Sequence, residues 1–123
     1  MSRHEKEEER RERKQRKIDA GLLSERYPAV SSVVISMDYH QRNTGPVLMQ
    51  RTVNFFPGSA AYFLMECMRH ECVDGGYNLE PVITNMTRDR QESGSGELDC
   101  PGGNPSCHAK INYSIAISYN IQQ

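Results

Sequence analysis

Between Ser31 and His40 the side chains alternate, with Val33, Ile35, Met37 and Tyr39 on one side and Ser32, Val34, Ser36, Asp38 and His40 on the other. A repeat of two is that of a strand with one face buried. The pattern is strongest over Lys110–Gln122. There Ile111, Tyr113, Ile115, Ile117, Tyr119 and Ile121 share one face, and Asn112, Ser114, Ala116, Ser118 and Asn120 share the other. Val47–Phe56 reads as a further strand, antiparallel to the first across a turn made by Asn43, Gly45 and Pro46. Residues 59–66 read as a short strand leading into Cys67, in preference to a helix. The period then changes. Leu79, Val82, Ile83 and Met86 recur at i, i+3, i+4 and i+7, so Leu79–Arg90 reads as a helix capped by Asn78, with Glu80 in its first turn. Ser93-Gly94-Ser95-Gly96 reads as a flexible break. The sum is an α+β fold, a small antiparallel sheet with one helix packed across it.

No apolar position recurs before Ile18. From Glu5 to Lys17 every residue is Glu, Lys, Arg or Gln, all good helix formers. Glu7–Arg11, Glu9–Arg13 and Glu12–Arg16 have the favourable order at i, i+4. Gly21 and Tyr27-Pro28 end this helix. The chain therefore divides into a charged helical arm, residues 1–26, and an α+β domain, residues 27–123, with the boundary near residues 24–29. Without an apolar stripe the arm is expected to contribute nothing to a core.

Charge sharpens that division. The 123 residues carry a formal net charge of -1, and the length suits a single domain. Residues 1–17 hold eight cations against five glutamates, a net of +3, which leaves the remaining 106 residues seven against eleven, a net of -4. A basic arm on an acidic body is the asymmetry of an interaction tail. Arg3, Arg10, Arg11, Arg13, Lys14, Arg16 and Lys17 are its candidate partner-binding residues, and the planar fork of Arg suits phosphate. The implied partner is RNA or a nucleoprotein particle such as the ribosome, or a protein complex. Apolar runs of only a few residues give no membrane span, the first seventeen residues do not form a secretory signal, and no small-molecule substrate is evident. The expected location is the cytoplasm.

The four cysteines form two pairs, Cys67 and Cys72 in CMRHEC, then Cys100 and Cys107 in CPGGNPSC. Two short loops brought together assemble a tetrahedral thiolate site, and soft thiolates select zinc. Intervals of four and six intervening residues resemble zinc knuckles of the zinc-ribbon kind, the second being longer than the usual spacing. The site expected is a structural zinc held by all four thiolates. Two disulfides, an iron–sulfur cluster and unliganded thiols remain alternatives. His70 and His108 are possible substitute ligands. The HExxH, GxSxG and phosphate-loop signatures are lacking, so no enzyme is expected. The function these features point to is a non-catalytic zinc-binding interaction module tethered by its arm. The alternatives are a thiol/zinc redox sensor and a small zinc-dependent hydrolase using Glu66 or Glu71.

Overall fold

Ile35 pairs with Ile115 at the centre of the longest ladder in the molecule, and the fold is arranged around that pairing. The computed structural model describes residues 3–41, 46–67, 76–100 and 109–120. Their elements, in order, are α1 (Arg3–Asp19), α2 (Leu23–Arg26), β1 (Val30–Gln41), β2 (Met49–Phe55), β3 (Leu64–Met65), β4 (Tyr77–Asn78), α3 (Glu80–Arg88), β5 (Ser93–Asp99) and β6 (Ala109–Tyr119). A four-stranded antiparallel sheet has the order β2-β1-β6-β5, and β3 pairs with β4 in a second, two-stranded sheet. This is the α+β architecture that the hydrophobic pattern predicts. No described helix is long and apolar enough to cross a membrane.

The two strongest alternating segments become the central strands. Val33, Ile35, Met37 and Tyr39 of β1 and Ile111, Ile115 and Ile117 of β6 are buried. Ser36, Ser114, Ala116 and Ser118 on the opposite face are exposed. The covering layer comes from α2, the β3–β4 pair and α3, which with the segment before β3 contribute Leu23, Phe63, Met65, Tyr77, Leu79, Ile83 and Met86 to the same core. Phe55 and Phe63 lie 4.9 Å apart, and Tyr39 meets Tyr77 edge-on at 6.0 Å. Leu79, Ile83 and Met86 of the helix periodicity are buried as that period requires. The side chain of Asn78 accepts the Glu80 N–H at 3.1 Å, one position ahead of the capping residue, Leu79.

Ser93–Gly96 corrects the expectation of a flexible break: it is the first half of β5, paired with Ala116–Tyr113 of β6. The glycines make this strand possible by close approach. A Cβ on Gly96 would lie 2.6 Å from the Tyr113 hydroxyl, and one on Gly94 would lie 3.1 Å from the Met86 sulfur. Two large side chains thus lie over a strand that has none of its own at those positions. The stretch 59–66 forms only the two residues of β3, plus an isolated bridge from Leu22 to Ala60. The turn at Arg42–Gly45 lies outside the described residues.

Packing of the body starts inside the stretch read as the arm. Leu23 is fully buried, its N–H donates to Ser59 O at 2.8 Å, and Ala61 N–H donates to Gly21 O at 2.8 Å. Arg26 forms a 2.6 Å bond to Glu80, which raises its pKa further. At the edge, β2 is more open: Val47, Leu48, Met49 and Phe56 are exposed.

The sheet's two faces should respond differently to charge. Ile115→Asp places a carboxylate in the core and should cost several kcal/mol, about the penalty of an unpaired buried charge. Ser114→Asp, one residue away, should change urea stability by less than about 1 kcal/mol. Equal losses in the two urea curves would refute the observed register.

Candidate anion-binding cleft and the cysteine loops

One face of α1 carries cations at a helical period. Arg10, Arg13, Lys14 and Lys17 stand at i, i+3, i+4 and i+7, the spacing an amphipathic helix gives its apolar residues. These four line a cleft of about 450 Å³ between α1 and the open side of β2, with Arg51 as a fifth cation. Its apolar lining comes from Val53, Phe55, Leu64 and Met65. The α1 helix therefore does not stand clear of the body: a row of charge, in place of an apolar stripe, borders the domain.

The carboxylate of Glu66 lies 3.9 Å from Arg51, and both side chains are largely exposed. An exposed pair at that distance neutralises little. Among the described residues that line it, five are cations and one is a carboxylate, and apolar walls concentrate the field there. Tyr62 also lines it, and its buried hydroxyl has no hydrogen-bond partner among the described residues. The Tyr39 hydroxyl donates to the Glu66 carbonyl at 3.1 Å, fixing the backbone of that wall to β1.

The seven arm cations expected to act together are thus divided. Arg10, Arg13, Lys14 and Lys17 converge on the cleft. Arg11 and Arg16 lie roughly 110° to either side of that row; both are exposed, and Arg16 reaches Glu12 at 3.5 Å, the i, i+4 pair expected. The side chain of Arg3, at the start of α1, lies outside the described residues. Testing charge as well as hydropathy for a 3.6-residue period would have revealed the row.

Of the cysteines, Cys67 is half-buried just beyond β3 and Cys100 is buried just beyond β5. Gly76 N–H donates to Cys100 Sγ at 3.4 Å. Tyr77 follows, and its hydroxyl is held protonated far above the ordinary phenol range by burial first, then by the neighbouring Cys67 and Cys100 sulfurs. One cysteine of each pair therefore acts electrostatically on the same buried tyrosine. Cys72 and Cys107, with His70 and His108, lie outside the described residues, and no group of three metal-ligating side chains occurs among the described ones.

His40 has a structural role invisible in the sequence pattern. It is buried, with Nδ1 3.1 Å from Pro46 O and Nε2 3.1 Å from Asn112 Nδ2. A neutral ring satisfies both, donating from Nδ1 and accepting at Nε2.

Comparison of the chain with protein-family models, with curated proteins and with solved structures finds no match. The functional reading therefore rests on the geometry of the cleft and the cysteine loops.

Burial also raises the Tyr39 hydroxyl, against the lowering effect of Arg51. A raised phenol keeps its full stabilising contribution below the unfolded value of about 10 and loses it as pH rises through the folded value. In a spectrophotometric titration of the six tyrosines, Tyr39 and Tyr77 should ionise only with alkaline unfolding. Tyr77→Phe should make the loss of stability above about pH 10 shallower. An unchanged pH dependence would show that Tyr77 is not protected.

Proposed function

We propose that this protein is a non-catalytic binding module that engages an anionic partner through α1, with RNA or a nucleoprotein particle as the partner class. A zinc ion held by Cys67, Cys72, Cys100 and Cys107 would staple the two loops of its body. The observation that carries the first reading is the row Arg10, Arg13, Lys14 and Lys17 converging with Arg51 on one cleft. Four regularly spaced cations on a rigid helix face match a repeating array of phosphates better than four cations scattered on a coil. The zinc reading is supported by the Gly76 N–H, which follows the Cys67–Cys72 loop and donates to Cys100 Sγ at the start of the second loop. A protein complex is the second partner reading, and the acidic body, net -4 outside the first seventeen residues, favours it.

Salt dependence separates these partners. Binding of a single-stranded RNA through four or five cations should weaken with a slope of about -3 in log affinity against log salt. Reversing Arg10, Arg13, Lys14 and Lys17 to Glu should abolish the binding and leave the circular dichroism of the body unchanged. RNA affinity equal in the reversed protein would overturn this partner class.

Metal analysis tests the staple. The purified chain should carry about one zinc, and Cys72→Ser should release it with a large loss of stability, since structural zinc supplies on the order of 10 kcal/mol in small peptides. A folded, metal-free protein with four titratable thiols would exclude the zinc.

A further inference from the structure

We propose that the cleft between α1 and β2 binds a small single-chain amphiphile, an acyl chain bearing one carboxylate or phosphate head. The inference rests on the reading of the α1 cations as anion-binding groups and adds the chemistry of the occupant.

The core-facing side of β2 is the starting point. Phe55, Val53 and Arg51 pair with Val33, Ile35 and Met37 of β1, all three of which are fully buried. Along β2 itself cover fails progressively: Phe55 is buried, Val53 half-buried and Arg51 exposed. A helix with an apolar stripe would close this gap, but α1 presents Arg10, Arg13, Lys14 and Lys17 there. The result is a two-sided space, cationic on the helix side and apolar along Val53, Phe55, Leu64 and Met65. Its volume of about 450 Å³ falls in the range of small-molecule sites, roughly 300–1,000 Å³.

The chemistry of the lining selects among anions. Nucleobases need an open aromatic face on which to stack, whereas Phe55 is 6% exposed and packed on Phe63. Val53, Leu64 and the flexible thioether of Met65 suit an acyl chain, because aliphatic surface is non-directional and methionine adapts its shape. The head would meet Arg13 and its neighbours, whose charge-assisted hydrogen bonds are the strong ones for a carboxylate or phosphate. The ring of Tyr62 adds to the same wall. Carboxylate and phosphate heads share this recognition.

The test uses the full-length protein and calorimetric titration with dodecanoate and with dodecyl phosphate, each below its micellar concentration. Both should bind at one site per chain and displace the fluorescent amphiphile anilinonaphthalene sulfonate. Dodecanol, lacking charge, and inorganic phosphate, lacking the chain, should bind at least about tenfold more weakly, the value of one charge-assisted hydrogen bond. Arg13→Glu with Lys14→Glu should weaken dodecanoate at least about tenfold. Arg11→Glu, an equal charge reversal per site beside the row, should change it less than about twofold. Equal losses from Arg11→Glu and from reversal of Arg13 alone would overturn the site in favour of diffuse charge. Binding to anionic vesicles without binding to monomeric dodecanoate would overturn it in favour of a membrane surface. RNA binding measured on the same samples separates the two readings: RNA bound with no amphiphile bound overturns only the acyl occupant.

Discussion

The antiparallel pairing of β1 with β6 is the constraint on which the rest of this structure depends. It joins Val30–Gln41 to Ala109–Tyr119, and β2 and β5 are each attached only to one member of this pair. Most of the cover, from Phe63 to Met86, lies in the chain between them and packs on the face they create. Such a ladder must close a loop of about seventy residues, an entropy loss that increases slowly with length. Local hairpins can form earlier, but only this contact gives Leu23, Phe63 and Ile83 a common surface to bury. The fold is cooperative for that reason, and high sequence separation makes its formation slow compared with helical domains.

From the same constraint comes the cleft. The core is densest at the β1–β6 pair and thins toward β2, where the core-facing side ends in Arg51 instead of an apolar residue. The element bordering that side is a helix whose own inward row is charged. Five cations line the opening, and the apolar wall behind them is only partly covered, Val53 and Leu64 being half-buried. The site is therefore a product of incomplete packing, positioned by a strand whose neighbour in the sheet is buried along its inward face.

Where hydrophobicity alone determines placement, the fold was legible in the chain. β1, β6 and α3 carry strong periods of two or 3.6, and their buried residues follow them. Ser93–Gly96 was not legible, because its strand character comes from what lies over it: Tyr113 and Met86 occupy the space its glycines leave. Nor was Leu23, one of two adjacent leucines after a charged run, which is buried while Leu22 is exposed and whose N–H is bonded to Ser59 O. The cleft was half legible. Its cations stand out in the sequence as a basic run, but their division between a row and its flanks emerges only once α1 is set against β2. Arg51 and Tyr62 had no sequence signal at all, since they act through position. The cysteines could be grouped into two loops from their spacing, but only Cys67 and Cys100 lie among the described residues.

The sheet's two edges are chemically unequal. Along β5, the small residues Ser93–Gly96 are followed by Glu97 and Asp99 on either side of Leu98, and a strand of another molecule approaching it would have to desolvate carboxylates. The β2 edge is preceded by Val47 and Leu48 and begins at Met49, with exposures of 46%, 57% and 39%. Arg51 and the α1 row border that edge, and like charges there oppose the approach of a second copy, an effect that salt screens within about 8–10 Å. A bound anion would neutralise the same row. If the proposed anion binds, colloidal behaviour and occupancy would be coupled through one set of side chains: the filled protein would be the stickier one, and its solubility would report on what the cleft holds.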